Sequence, residues 1–523
     1  VTAFIVVTIA LSGTGAVLSS IRWLRVAQRE HYLSGSLLRF TRRWWGQDLL
    51  HFVAATCATV SVIVEGFWAG AGVVGAVVVA VGPVGLGLRG RTGRLRWTRR
   101  LATVASIAGI ELGAAVGTAA AVGGLRLTAI VLVAGAVGQP LALESALLVD
   151  RPLEWVIANG YLKRAAEKLG RIDPIVVGIT GSYGKTSTKS YAAHLLSGTY
   201  RVVASPRSFN NRAGLARAVN ETLVVGTEVF VAEMGAFGVG EIAALVSWLA
   251  PRVAAITAIG PVHLERFRSL DRTLEAKSEI VAAADTAVLN VDDERLARLA
   301  GELAAAGRRV VRCSAVDRRG DVAVVAGASE AELYVDGSSA GAFPLASGRP
   351  LALTNVACAA GIALALAVPV PDIALRLRSL PVVEHRLEVS TSPTGVAVLD
   401  DTFNANPAGA RLALAALVAN ARPGSRRVVV TPGMIELGDR QRAENEAFAG
   451  EVATIATDLV VVGLTNRRAL LAGAAKTRAQ QAGGPDLRVI TLDSRAAAVA
   501  WVRRELGEGD AVLYENDLPD QYP

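Results

Sequence analysis

At 523 residues the chain is too long for one ordinary core and suggests about three domains. Hydrophobic residues make up 52% of it and its mean hydropathy is +0.41, high for a soluble enzyme, with most of the excess before Asp150. The net charge of +8 resides largely in arginines that flank apolar segments, and no basic strand with interleaved aromatics occurs, which excludes a nucleic-acid footprint.

The first apolar run, residues 3–19, is about long enough to cross a bilayer. No basic segment precedes it and further apolar runs follow, so it reads as an anchor rather than a signal peptide. Residues 49–88 are apolar for about twice one span and are interrupted at Glu65, Gly66 and Trp68, which predicts a helical hairpin turning there. Further spans are expected at 101–122 and 127–149, separated by Gly123, Gly124 and Arg126. Arg22, Arg25, Arg29, Arg39, Arg42 and Arg43 crowd the first long loop, and Arg89, Arg91, Arg94, Arg96, Arg99 and Arg100 the second. The positive-inside rule then puts both loops and everything after Asp150 in the cytoplasm, with about five spans and an external N-terminus. Trp23, Trp44, Trp45 and Trp97 sit beside these arginines, as interfacial anchors do. The chain reads as a multi-pass protein of the cell membrane with its catalytic part inside.

Residues 151–172 form an amphipathic linker, with Trp155, Ile157, Tyr161, Leu162 and Leu169 opposed by Lys163, Arg164, Glu167 and Lys168; Asp173-Pro174 ends it. Short apolar strands at 175–179, 229–232, 253–259 and 287–291 then alternate with helical stretches, the pattern of a mostly parallel sheet covered by helices. A second series, with strands at 396–399, 427–431, 459–462 and 488–491, begins near Pro381. The expected architecture is an α-helical membrane bundle (1–150), the linker (151–172), a P-loop parallel-sheet ATPase domain (173–380) and a Rossmann-like α/β domain (381–523). Cys57, Cys313 and Cys358 match neither a zinc spacing nor a disulfide framework and read as small buried hydrophobes in a reducing compartment.

The most specific signal is Gly178-Ile-Thr-Gly-Ser-Tyr-Gly-Lys-Thr-Ser-Thr188, between a buried strand and a helix. Small residues let backbone N–H groups close around phosphate oxygens, and the helix N-terminus adds a favourable field. Thr180, Gly181, Ser182, Gly184, Lys185, Thr186 and Ser187 are therefore the candidate nucleotide-binding residues. Lys185 would reach the β/γ-phosphates and the Thr186 hydroxyl would hold Mg²⁺. Ile179 occupies the first glycine position of the strict phosphate-loop pattern. Glu233 closes an apolar strand beside Gly235, where a carboxylate could face the same cation; a strand-end glutamate by itself is ordinarily just solvated.

Thr180-Gly-Ser-Tyr-Gly-Lys-Thr186 resembles the phosphate loop of the Mur ligase family, and further motifs of that family follow in order. They are Ser208-Phe-Asn-Asn211, Val231-Ala-Glu-Met-Gly235, Ile259-Gly-Pro-Val-His-Leu-Glu265, Ala276-Lys-Ser-Glu279, Glu384-His-Arg386, Asp400-Asp-Thr-Phe-Asn-Ala-Asn-Pro407 and Gly433-Met-Ile-Glu-Leu-Gly438. The resemblance covers about residues 173–510, an extent that makes the ordered series far more specific than any single motif. It is strongest to the branch of the family that adds a dipeptide to a nucleotide-linked muramoyl tripeptide.

The resemblance implies an ATP- and Mg²⁺-dependent ligase: a carboxylate attacks the γ-phosphate, and an amine displaces phosphate from the resulting acyl phosphate. It implies His263 as a second Mg²⁺ ligand and Lys277 as a carbamylated, metal-supporting lysine. It implies nucleotide contacts for Arg386 and Asp401 across a domain cleft, and for Asn355 near adenine, although Cys358 replaces the family's second asparagine. Asn210, Asn211, Asn404 and Asn406 are the corresponding substrate-binding candidates.

Two departures stand out. A membrane-type segment precedes the phosphate loop where the family has a UDP-binding domain, and Tyr514-Glu-Asn-Asp517 replaces the family's C-terminal Lys-Gly-Ser. The expected partners are a small-molecule or lipid-linked cell-wall precursor and an amino-acid or peptide amine, without nucleic acid. A membrane ligase like poly-γ-glutamate synthase is the alternative reading. A Mur-like amidotransferase partner ranks lower because no cysteine-rich zinc insert is present, and a transport ATPase lower still because no ABC-type signature is.

Overall fold

The structure is a computed structural model that describes every residue except 1, 31, 47–48, 69, 82–94, 207–208, 317, 319, 346–350, 384–386, 403–404, 481–486 and 519–523. The chain separates into two compact units, one built on Val1–Asn159 and the other on Gly160–Asp517.

The first unit is helical. Its helices are Thr2–Arg29, Ser36–Gly46, Leu49–Glu65, Gly72–Val81, Arg99–Val137 and the N-terminal part of Gln139–Ile172. The expected hairpin turns where Glu65 and Gly66 interrupt the apolar run, and the buried Glu65 carboxylate accepts the backbone N–H groups of Gly70 and Gly72. Small residues bring helix backbones close: a Cβ on Gly15 would sit 2.9 Å from the Ala76 carbonyl oxygen, and one on Gly75 2.1 Å from Ser61 Oγ. Trp23, Leu37, Phe40, Leu101, Leu143 and Leu147 pack in its largest core cluster. Phe4, Leu49, Phe52, Ile63, Ile110 and Val122 are exposed.

Two expectations change here. Of about five expected spans, two helices among the described residues, Thr2–Arg29 and Arg99–Val137, are long and apolar enough to cross a membrane. Apolar content alone does not fix helix length: Leu49–Glu65 stops at 17 residues, and Gly124, at φ 62°, divides Arg99–Val137 at the expected turn. The expected boundary between a span and a linker near residue 150 is also absent. One helix, Gln139–Ile172, runs through it with Pro152 inside. Most of the second basic loop, with Arg89, Arg91 and Arg94, lies outside the described residues.

The second unit holds two sheets. The larger comprises β1 (Ile175–Thr180), β2 (Val202–Ala204), β3 (Val229–Glu233), β4 (Val253–Ile256), β5 (Thr286–Asn290), β6 (Arg309–Ser314), β7 (Val322–Ala326), β8 (Glu330–Val335) and β9 (Ser338–Pro344). Their order is β2-β3-β1-β4-β5-β6-β7-β8-β9, parallel as far as β7 and antiparallel beyond it. Strands β1, β3, β4 and β5 are almost wholly buried, as their near-continuous apolar sequences require of a sheet with helices on both faces.

The smaller sheet comprises β10 (Glu388–Thr391), β11 (Ala397–Asp401), β12 (Arg427–Thr431), β13 (Asp458–Val462), β14 (Arg488–Leu492) and β15 (Ala511–Glu515), in the order β10-β11-β15-β12-β13-β14. Only the β10–β11 pair is antiparallel. Alternate residues feed two cores: Leu399, Val429, Leu459 and Leu513 in one, Val428, Val430, Val460 and Val512 with Trp501 in the other. Inserting β15 between β11 and β12 makes a switch in strand order, and ligands of such sheets bind beyond the carboxyl ends of the strands at such a point.

Helices Gln441–Ile455 and Arg467–Gln480 flank this sheet and touch where Gly473 has no side chain: a Cβ there would fall 2.0 Å from the Glu446 carbonyl oxygen. Gly473→Ala is expected to force these helices apart at a cost of about 1–3 kcal/mol. Thermal melting followed by far-UV circular dichroism checks this, with a lowered midpoint expected.

Candidate active site

The phosphate-loop sequence folds as its small residues demand. It leaves the carboxyl end of β1, and Gly181 (φ 151°) and Gly184 (φ 79°) take conformations that side chains rarely adopt. Space excludes side chains as well: a Cβ would meet Thr257 Oγ1 at 2.0 Å from Gly181 and Asn355 Oδ1 at 2.1 Å from Gly184. The loop is anchored to the end of β4. Ser182 N donates to Ala258 O at 2.8 Å, Gly260 N donates to Ser182 Oγ at 2.9 Å, and the Thr257 hydroxyl donates to the carbonyl of Tyr183. Thr180 is fully buried at the head of the loop. Lys185 opens the helix Lys185–Leu196 and points its ammonium back into the loop, donating to Gly181 O at 2.7 Å. Thr186 and Ser187 follow in that helix's first turn.

Glu233, 1% exposed at the end of β3, is the centre of the arrangement. Thr186 Oγ1 donates to its Oε2 at 3.0 Å, Lys189 Nζ lies 3.1 Å from the same oxygen, and Asn210 Nδ2 donates to Oε1 at 3.1 Å. Burial alone would raise this carboxyl's pKa. The cations of Lys189 and Lys185 and the Asn210 amide outweigh that and hold it below the usual range, so it stays ionised. Thr186 and Glu233 thus offer a hydroxyl and a carboxylate side by side, the hard oxygen donors that suit Mg²⁺.

Lys277, 3% exposed on the helix Leu270–Ser278, has its pKa pushed well down, first by burial and then by the Lys185 charge. Both effects favour its uncharged amine form. His263 stands in a left-handed conformation (φ 59°), stacks edge-on against Phe237, and bonds through Nδ1 to the carboxylate of Glu436 beyond β12. Leu264 N donates to Glu436 O at 2.9 Å, so backbone and side chain together join the two sheets' loops. Among the described residues no group of three or more His, Cys, Asp and Glu side chains is gathered for a metal, and His263 is not brought into such a cluster with Glu233.

The described asparagines each have a local partner in the structure. Asn210 serves Glu233 directly, and its carbonyl accepts Gly235 N at 2.7 Å. Asn211 and Asn406 are helix N-caps, accepting from Gly214 N at 2.8 Å and Gly409 N at 2.9 Å. Asn355 lies against Gly184 in the phosphate loop. Asp401 ends β11 and accepts Leu387 N at 3.2 Å. Arg386 and Asn404 lie outside the described residues. Sequence reasoning passed over Lys189 and Glu436. Lys189 was readable, because it stands four residues beyond Lys185 and three beyond Thr186, on the same helix face. Glu436 was quoted within a motif, but its partner is 173 residues away and nothing local announces it.

Comparisons with known proteins fit this geometry. Residues 179–360 match the Mur ligase middle domain and residues 385–514 the Mur ligase glutamate ligase domain. The chain is 34% identical over 368 residues to the UDP-N-acetylmuramoyl-tripeptide–D-alanyl-D-alanine ligase of Mycobacterium tuberculosis (strain CDC 1551 / Oshkosh), covering 65% of this chain and 69% of the relative. The chain belongs to the Mur ligase family. The relative of the same name in Escherichia coli (strain K12) is 29% identical over 60% of this chain and 70% of its own. Among solved structures, MurF of Thermotoga maritima in complex with ADP superposes with a TM-score of 0.57 at 26% identity, covering 69% of this chain and 80% of that one. As a member of the family the chain is an ATP-dependent ligase that forms amide bonds and uses ATP and Mg²⁺.

Glu515, at the position where the resemblance expects a lysine, is fully buried at the end of β15. Thr431 Oγ1 donates to its Oε2 at 2.7 Å, while Oε1 has no hydrogen-bond partner among the described residues. Burial pushes its carboxyl up to about 8, with the Asp401 charge adding to the rise and the Thr431 bond opposing it. A carboxyl raised from 4.5 to about 8 on folding contributes stability that is complete below 4.5 and lost as pH climbs through 8. Glu515→Gln stays neutral throughout, so its stability relative to wild type is expected to rise between pH 5 and 8.5, by at most roughly 4 kcal/mol. Parallel thermal melts across that range check it.

Proposed function

We propose that this chain joins the amine of D-alanyl-D-alanine, or of a closely similar dipeptide, to the terminal carboxylate of a muramoyl-tripeptide cell-wall precursor, as its relatives' names describe for them. The observation that carries this reading is the ionised Glu233 beside Thr186 at the mouth of a phosphate loop, in a chain that is 34% identical to such a ligase. In this reading residues 173–380 are a P-loop ATPase domain and 381–523 a Rossmann-like domain. Mg²⁺, held by Thr186 and Glu233 and in the expected arrangement also by His263, would supply positive charge against the phosphates.

The chain's own groups then divide the work. Lys185 turns from its loop carbonyls to the β/γ-phosphates and neutralises charge that grows as phosphate moves to the substrate carboxylate. Backbone N–H groups at 181–186 fix the phosphate chain in line with the attack. Burial of Lys277 favours the uncharged amine, the form of lysine that reacts with CO₂. Its nitrogen bonds the carbon and releases one proton, leaving a carbamate whose negative charge would face the cations of the site. Arg386 and Asp401 remain the candidates for nucleotide contact from the second domain, and Asn404 a candidate for substrate. Contact between the loops at His263 and Glu436 keeps water from the acyl phosphate until the amine displaces its phosphate.

The N-terminal unit belongs in a membrane, with its exposed Phe4, Phe52, Ile63 and Ile110 against lipid and the ligase on the cytoplasmic side. A lipid-linked form of the precursor is the finer version of this proposal, favoured by the apolar unit that precedes the ligase segment.

Lys185→Ala is expected to lower ATP-dependent dipeptide ligation by at least ~100-fold with the fold retained, as loss of a charge-stabilising group does. Product mass spectrometry with ATP, Mg²⁺ and the UDP-linked or lipid-linked tripeptide checks the activity and ranks the two acceptors. For the membrane, single-cysteine labelling is expected to reach residues 33–42 and 95–98 only after the cells are opened. Labelling of either segment in intact cells overturns the orientation.

A further inference from the structure

Glu233 Oε2 already has a cation before any metal is considered. Lys189 Nζ lies 3.1 Å from it, with the two side chains 6% and 2% exposed, while Thr186 Oγ1 donates to the same oxygen at 3.0 Å. A divalent ion seated on Thr186 and Glu233 must approach the oxygen that Lys189 holds. Lys185 opens the same helix one turn before Lys189 and points its ammonium into the phosphate loop, so the site presents two lysines beside the Glu233 carboxylate. That balance favours phosphate anions and opposes a free divalent cation, and burial keeps the repulsion from being screened.

We infer that Lys189 is a positioning residue that competes with the divalent cation. It holds Glu233 aimed and charge-balanced in the metal-free protein and makes tight metal binding depend on the phosphates of the nucleotide. The metal then arrives with ATP rather than ahead of it, and Glu233 exchanges one cation for another. This inference rests on the reading of Glu233 as a metal ligand.

The test is Mn²⁺ titration of the purified full-length protein by electron paramagnetic resonance, with and without a non-hydrolysable ATP analogue. Wild type is expected to bind Mn²⁺ weakly alone and much more tightly with the analogue. Lys189→Met is expected to tighten nucleotide-free Mn²⁺ binding by roughly tenfold or more, because a nearby buried positive charge is gone. Its melting temperature should fall without metal and recover with Mn²⁺, since an unpaired buried carboxylate is costly. Lys189→Arg, which keeps the charge, should resemble wild type. Should Lys189→Met not fold, Lys189→Gln, which still donates to Glu233, replaces it. Nucleotide-free Mn²⁺ affinity unchanged or weakened in the neutral variant overturns the inference. Glu233→Gln separates the two failures: if it leaves Mn²⁺ binding with nucleotide intact, Glu233 is not a ligand and the premise itself is wrong.

Discussion

A carboxylate kept out of water at the end of a buried strand is the constraint around which the ligase half is arranged. Glu233 cannot stay ionised there without positive charge and hydrogen-bond donors close by, and its partners come from two separate parts of the chain. Thr186 and Lys189 come from the helix after β1, and Asn210 from the segment after β2. One side chain thereby fixes how the phosphate loop sits against its neighbouring strands. Asn210, from the Ser208-Phe-Asn-Asn211 motif, supports the carboxylate through its amide.

The sequence was most legible where a requirement is local. The phosphate loop needs glycine at positions 181 and 184 because of positive φ and close neighbours, and those glycines stand in the chain for any reader to see. The buried parallel strands β1, β3, β4 and β5 announce themselves as short, nearly unbroken apolar runs. The hairpins β7–β8–β9 and the edge strand β10 do not, because their partly exposed residues mix polar and apolar types. Asn211 and Asn406 looked like substrate ligands because they sit in family motifs. Their spacing, an asparagine three residues before a glycine at the start of a helix, also spells an N-cap, and the structure shows both as N-caps.

In the first unit, composition told more about chemistry than about segmentation. The apolar excess and the flanking arginines were plain, and so was the turn at Glu65. What could not be read was where one helix passes into the next without a break. Pro152 looks like a stop signal, yet a proline can remain inside a helix where neighbouring groups satisfy the carbonyl it frees, and Gln139–Ile172 continues past it. The preceding helix, by contrast, breaks at Gly124, a glycine at positive φ where the sequence did signal a turn.

The junction at Glu436 has two layers that answer differently to change. The side-chain bond to His263 depends on which residue stands at 436, whereas the bond from Leu264 N to the carbonyl of the same residue does not. Any amino acid at that position that can hold φ near 63° would preserve the backbone contact. Evolutionary drift at this one position would thus alter how firmly the two sheets' loops grip each other while leaving the address of their meeting unchanged.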